Sequence, residues 1–306
     1  MIPATARVHL ALLLTVMVWG VNLTAVKLLT PVLDATLIAL LRMALAAAVL
    51  WSLLRWRETV RQPWSGAEWV GGLAVAALMV YAQQMLFATG MARTTATNAA
   101  LVMALAPFVN LMAETLVFRK PLVPRQLAGA MLAMAGVALV ILNRPQAQWT
   151  RAGLGDLLIL LSVFTFATGG VIIQRMMRGR SMLSVSAFSH VAGSAMLVVH
   201  ASVFVPGAVG VVLGLPWWAW VLVAFSGVFS TALGAVAWAR GIQVLGVGRT
   251  ASYLAGVPVF GVAFAALALK EPLSPWHFVG GAAVLAGSAL ALRAGARMPA
   301  PAIARS

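Results

Sequence analysis

Residues 88–141 read ATGMARTTATNAALVMALAPFVNLMAETLVFRKPLVPRQLAGAMLAMAGVALVI, and residues 239–292 read ARGIQVLGVGRTASYLAGVPVFGVAFAALALKEPLSPWHFVGGAAVLAGSALAL. At an offset of about 151 residues the two segments lie over one another without a gap. Gly90, Pro107, Pro121, Leu122, Pro124, Gly129 and Gly136 then fall on Gly241, Pro258, Pro272, Leu273, Pro275, Gly280 and Gly287. An Ala- and Leu-rich composition produces chance matches, but it does not produce coincident Pro and Gly. The chain therefore reads as two related halves, 1–148 and 149–306.

The solvent follows from composition. Of the 306 residues 62% are hydrophobic and 9% charged, with mean hydropathy +0.99. An average soluble domain carries about a quarter charged residues. A bilayer core about 30 Å thick takes about 20 consecutive apolar residues as a helix, and such runs recur from end to end. Backbone N–H and C=O groups in hydrocarbon must be paired within the protein, which leaves helices or a closed barrel. Barrel strands alternate, whereas these runs are continuous. The formal charge of +15 comes from Lys and Arg scattered between apolar runs, so no nucleic-acid partner is expected. The absence of cysteine excludes disulfides and thiolate metal sites. The first apolar run, Leu10 to Leu29, is long enough to span and is followed by further spans, so it is taken as a helix and not as a cleaved leader.

Spans are expected near 8–29, 35–54, 69–91, 95–117 and 125–142, then near 155–174, 183–205, 217–239, 250–269 and 276–292. Pro206, Gly207 and Pro216 mark turns. With the N-terminus inside, one side collects Arg7, Arg55, Arg57, Arg61, Arg119, Lys120, Arg125, Arg175, Arg178, Arg180, Arg240, Arg249, Arg293, Arg297 and Arg305. The other side keeps Arg93, Arg144, Arg151 and Lys270. Cytoplasmic loops retain Lys and Arg, so both termini are expected in the cytoplasm. A repeat of five spans crosses the membrane an odd number of times, and the second copy must enter upside down. Inverted repeats of this kind open a central site alternately to either side.

Several segments resemble the EamA-type branch of the drug/metabolite transporter superfamily, over essentially the whole chain. Helix one carries Trp19, Gly20, Asn22 and Lys27, and helix two Arg42, Met43, Ala44 and Leu45. Ala99 to Pro107 with Pro121, Leu122, Gly129 and Gly136 resembles the family's helix, Pro and Gly-rich closing segment. The second copy, Ala251 to Pro258, Lys270, Glu271, Pro272, Leu273 and Gly280 to Gly287, is closer still. Within the family the chain is most similar to the YddG-type bacterial amino acid exporters. The resemblance implies ten helices around a central cavity and export of aromatic or other apolar amino acids. Two places depart from the pattern. Thr168, Gly169 and Gly170 stand where helix one has its Trp-containing opening, and Arg119 and Lys120 stand where the second copy has Lys270 and Glu271.

Polar groups at membrane depth either line a wet pathway or tie helices together. On helical spacing Tyr81, Gln84 and Met85 share a face near the bilayer middle, as do Trp19 and Asn22. Aromatic walls with amide and hydroxyl partners suit an amino acid. Met103, Pro107, Asn110 and Glu114 form one stripe. Pro107 frees a carbonyl about one turn earlier, and Pro258 does the same in the second copy; the pair either gates or shapes the bundle. Tyr253, Val257 and Phe260 make an apolar stripe. Ser230, Thr231, Gly234 and Trp238 make a small-residue seam with an aromatic end.

Lys27 and Arg42 are the basic residues inside spans. Lys27 is expected to snorkel to the outer surface. Arg42 is expected to pair with Asp34, with an outer vestibule or a bound carboxylate as alternatives. His190 and His200 read as packing histidines, and neither suggests a metal ligand. Of the groups that could carry protons at membrane depth only Glu114, close to the inner face, and the two histidines qualify, so coupling to protons is not expected. No cluster of His or carboxylates points to an enzyme. A channel or a retinal protein built on Lys27 fits ten spans and a repeat poorly. The expectation is a monomeric secondary transporter of the bacterial inner membrane, with no cofactor, exporting amino acids or another small-metabolite class.

Overall fold

The computed structural model describes residues 4–57, 63–118, 124–143, 152–176, 180–245, 250 and 252–295. Among these the regular structure is helical throughout, without a strand. We label the helices in chain order: α1 Ala4–Leu29, α2 Ala35–Arg57 and α3 Gly66–Arg93. Next come α4, in pieces Ala96–Met103 and Ala106–Phe118, α5 Pro124–Leu142, α6 Ala152–Met176 and α7 Met182–Phe204. A short connecting helix, Ala208–Leu213, follows where turns alone were expected. The continuous segments Trp217–Ala224, Phe225–Leu233 and Gly234–Leu245 form α8. The 3₁₀ turn Ser252–Ala255 with Gly256–Ala268 forms α9, and Pro275–Gly295 forms α10. Six of these, α1, α2, α3, α6, α7 and α8, are long and apolar enough to cross a bilayer. The molecule is a multi-pass helical membrane protein. Leu116, Leu213, Trp217 and Leu267 stand outward on its surface, where lipid rather than water is their compatible neighbour.

Local chemistry sets the helix ends. Asp34 accepts from the Thr36 amide at 2.7 Å ahead of α2, and Thr95 and Ser181 cap α4 and α7. A reciprocal capping box opens α3, in which the Ser65 amide donates to Glu68 at 2.7 Å and the Glu68 amide to Ser65 Oγ at 3.3 Å. The two interrupted helices break just before their prolines: α4 at Ala104–Leu105 ahead of Pro107, and α9 at its 3₁₀ turn ahead of Pro258. A proline has no N–H for the preceding turn, which explains where each break falls.

Neither π segment was legible in the sequence. Ala76–Ala82 within α3 and Phe225–Leu233 within α8 carry hydrogen bonds to the fifth residue along. Shifted by the offset of the sequence repeat, the first falls inside the second.

Small residues fix the closest approach, between α5 and α10. A Cβ placed on Gly136 would lie 2.6 Å from the Gly280 carbonyl oxygen, and one on Gly287 2.4 Å from that of Gly129. Without a Cβ the backbones touch, so Gly136, Gly280 and Gly287 are a packing requirement, with Gly287 seated on the Gly129 carbonyl. Beyond this pair, α2 lies against α7, α1 against α8 and α9, and α6 against α3 and α4. The largest buried cluster lies toward the end of the molecule that holds Lys27, and includes Leu23, Val26, Leu29, Ile38, Phe87, Met91 and Ala265. Toward the opposite end, which holds His9, α2, α7 and α8 share a small separate cluster around Leu50 and Leu54.

A polar centre in the bundle core

The sequence places Arg42 two turns into α2, and the fold surrounds it with neutral groups. Its Nε donates to Ser226 Oγ in the π segment of α8, and its Nη1 donates to Gln84 Oε1 at 3.1 Å in α3. The guanidinium also lies 5.5 Å over the Phe87 ring. Ser226 passes its own proton to Asn22 Oδ1 of α1, and the Gln84 amide donates to Gln83 Oε1 at 2.6 Å. Four helices from both halves of the chain thus meet at one cation. Arg42 is 2% exposed and Ser226 fully buried. A charge on a helix at mid-bilayer costs about 2.5–3.5 kcal/mol on insertion scales, which makes a retained arginine a functional candidate.

The expected partner of Arg42 was Asp34, but that carboxylate caps α2 instead. Lys27 also differs from expectation. Rather than reaching outward, its Nζ donates to the Met91 carbonyl at 2.8 Å and to that of Thr94, tying α1 to the end of α3. Helix-terminal carbonyls lack partners within the helix, so a cation there is well placed. Alongside, Glu271 accepts from the Ala96 and Thr97 amides at 2.8 and 2.9 Å, filling the N-terminus of α4, and lies within electrostatic reach of Lys27. Thr94 Oγ1 donates to Asp156 at the start of α6. In the sequence Glu271 figured in the family resemblance and as a departure between the copies, not as a helix cap; its partners are distant in the chain.

The remaining nominated residues divide between two faces. Trp19 donates from Nε1 to the Ser230 carbonyl at 2.8 Å, and its ring lies 5.2 Å from that of Trp238. Trp19 and Asn22 therefore share one face, turned to α8. Tyr81 and Gln84 part company: the Tyr81 hydroxyl meets His200 Nδ1 of α7 at 2.7 Å, while Gln84 turns to Arg42. Met85 packs with Ala39, Met43, Val80 and Leu197. Met103 lies against the clusters between α4 and α6. Asn110 donates to its own Ala106 carbonyl at 2.8 Å, beside Gly170. His190 bonds to the Ser186 carbonyl one turn back. Tyr253 meets His9 across α1 and α9. The side chains of Pro107 and Glu114 lie outside the described residues.

Of the departure at Thr168, Gly169 and Gly170, the glycine at 169 has a packing cause. A Cβ on Gly169 would come within 2.2 Å of Met79 Cγ, so α6 uses glycine where α3 is bulky. Near α1 the sizes are exchanged, with Trp19 beside Ser230 and Gly234. A cavity of about 420 Å³ between α4, α5 and α6, lined by Val102, Leu105, Val137, Leu157 and Leu160 among others, includes none of the nominated residues. Ser226, Gln83 and Phe87 were missed by sequence reading. The π turns that aim Ser226 inward leave no periodic signature.

Comparison with known proteins fits this architecture. The chain is 26% identical over 248 residues to the uncharacterized transporter YyaM of Bacillus subtilis (strain 168), covering 80% of each. It is 28% identical over 288 residues to an uncharacterized transporter of Archaeoglobus fulgidus, covering 92% of this chain and 96% of that one. A protein of known crystal structure superposes with a TM-score of 0.67 at 19% identity, covering 96% of this chain and 99% of the other, a likeness of fold alone. The model of the EamA-like transporter family matches twice, over residues 6–142 and 153–293. With nearly the whole length matched, the chain belongs to the EamA-like transporter family.

Proposed function

We propose that this transporter exports aromatic or other apolar amino acids, and related small metabolites, across a bacterial inner membrane by alternating access. In this reading ten spans form two inverted five-helix repeats, 1–148 and 149–306, with both termini and the His9 end facing the cytoplasm. One observation carries it: the helix pairings are reciprocal. Shifting by the repeat offset turns α2 against α8 into α7 against α3, and α1 against α9 into α6 against α4. It turns the Gly129–Gly287 approach into that of Gly280 with Gly136. A self-complementary arrangement of this kind is what a two-fold axis in the membrane plane requires. The matching π segments and the double family match support the same reading.

The substrate class is argued from chemistry. The half-buried Trp19 and Trp238 supply flat apolar surface, and Tyr81, Gln84 and Asn22 supply polar partners. With few acids in the spans, movement follows the solute's own gradient or exchange.

Flux of labelled amino acids, sugars and nucleotides into proteoliposomes of the purified chain tests the proposal. Phenylalanine, tryptophan or leucine should enter in preference to the other classes. Preference for a sugar or nucleotide would reassign the substrate. Flux driven strongly by an imposed pH gradient would overturn the coupling. Replacing Tyr81 or Gln84 by Trp or Ala should lower flux more than membrane yield.

A further inference from the structure

We propose that Arg42 is the receptor for the carboxylate of the transported solute; the inference rests on the transporter reading above and assigns one residue within it. The first ground is charge. Among the described residues every partner of the Arg42 side chain is neutral: Ser226, Gln84 and the face of Phe87. The two acceptors in turn donate hydrogen bonds to Asn22 and Gln83. This network orients the guanidinium and leaves its charge uncompensated. Nε and Nη1 supply the bonds it makes, so further N–H groups have no acceptor among the described residues. A planar fork of N–H donors is matched to a carboxylate, which would bring both the missing acceptors and the missing negative charge.

The second ground is an internal control. The crossing that holds Arg42 is α2 on α8, where a Cβ on Gly227 would lie 2.6 Å from the Arg42 carbonyl oxygen. Its counterpart is α7 on α3, where a Cβ on Gly193 would lie 2.4 Å from Val80 Cβ and 3.1 Å from the Ala76 carbonyl oxygen. The repeat offset carries Arg42 onto Gly193 and Ala76 onto Gly227. Both crossings therefore close with a glycine against a backbone carbonyl, Gly227 on Arg42 and Gly193 on Ala76, and only the first carries an arginine side chain at this register. The second crossing closes without a guanidinium, so the arginine side chain of the first is not a requirement of the close approach. Its neighbours say what it serves. Ser226 lies one turn from Ser230, whose carbonyl holds Trp19 against Trp238. A carboxylate at Arg42 would leave an apolar side chain within reach of those rings.

The test compares solutes that differ only in the anion. In proteoliposomes, wild type should move phenylalanine about 10- to 100-fold faster than phenylalaninamide, the range expected for a charge-assisted bidentate contact. Arg42→Met should remove that preference, and Arg42→Lys should restore part of it. Equal handling of acid and amide by wild type would overturn the proposal, as would wild-type phenylalanine flux in a folded Arg42→Met. Thermal unfolding of detergent-solubilised protein separates this from failure of the transport reading. Should no solute cross, phenylalanine and phenylacetate must still raise the melting temperature of wild type, phenylalaninamide must not, and Arg42→Met must lose the response. No carboxylate-dependent shift in wild type, or an equal shift in Arg42→Met, would sink the assignment.

Discussion

On the proposed inverted repeat the two ends of the bundle are made of corresponding helices, and yet they are held differently. At the Lys27 end, α1, the last part of α3, the first piece of α4 and the body of α9 converge. Lys27 and Glu271 fill the helix ends that meet there, and one large apolar cluster lies beneath. At the His9 end, α6 with the last part of α8, and the second piece of α4 with the start of α9, make no equally extensive contact among the described residues. Glu271 has Lys120 as its counterpart in the other copy, and a cation cannot accept from helix N–H groups. On the proposed inverted repeat, the difference teaches that a few charges make the two ends unequal and favour closure at the one that holds Lys27.

The largest effect should come from the glycine contact between α5 and α10, the closest approach in the bundle. Gly287→Leu forces a side chain into the Gly129 carbonyl, and overpacking of about 1–3 kcal/mol or more is expected. Fluorescence size-exclusion of the expressed protein should show loss of the monodisperse peak, whereas Gly210→Leu, beside open space, should not.

Glu271→Ala comes next. It strips the N-terminus of α4 and should weaken closure by about 1–3 kcal/mol, the cost of leaving such donors unsatisfied. A cysteine at the buried Ala99, in a chain that has none of its own, reports this directly. Its maleimide labelling should speed up about 10-fold. An unchanged rate would remove Glu271 from the closing device. Lys27→Met should act in the same direction by about 1 kcal/mol, because it loses bonds to terminal carbonyls and leaves the α4 cap intact.

The smallest effect belongs to Arg180. Its Nε and Nη2 hold Glu68 at 2.7 and 3.0 Å near the His9 end, where the pair joins the start of α3 to the approach of α7 at the surface, far along the bundle from the α4 N-terminus that Glu271 caps. Arg180→Gln should leave the melting temperature of the detergent-solubilised protein nearly unchanged and Ala99 labelling unaltered, because an exposed ion pair is screened by solvent.

These contrasts also mark what the sequence could carry. Hydropathy and Pro/Gly punctuation located the helices: α5 was expected at 125–142 and runs Pro124–Leu142, and the breaks in α4 and α9 stand just before the prolines that cause them. The glycine coincidences at Gly129, Gly136, Gly280 and Gly287 proved to be one interlocked contact. Partner choice was not legible. Arg42 reaches Ser226 and Lys27 reaches Met91 because of crossing geometry and two π segments, and neither has a local signature. Nearness in sequence suggested Asp34 for Arg42, but the demand of a helix N-terminus claimed that carboxylate first.

The central claim is that the halves exchange conformations about a two-fold axis, so that one end opens as the other closes. Spin-label distances at two symmetry-related pairs test it directly: Arg93→Cys with Leu267→Cys at the Lys27 end, and Val244→Cys with Leu116→Cys at the His9 end. On adding transported solute the two distance distributions should shift in opposite senses. Distributions that move together, or that stay fixed while flux proceeds, would contradict the account.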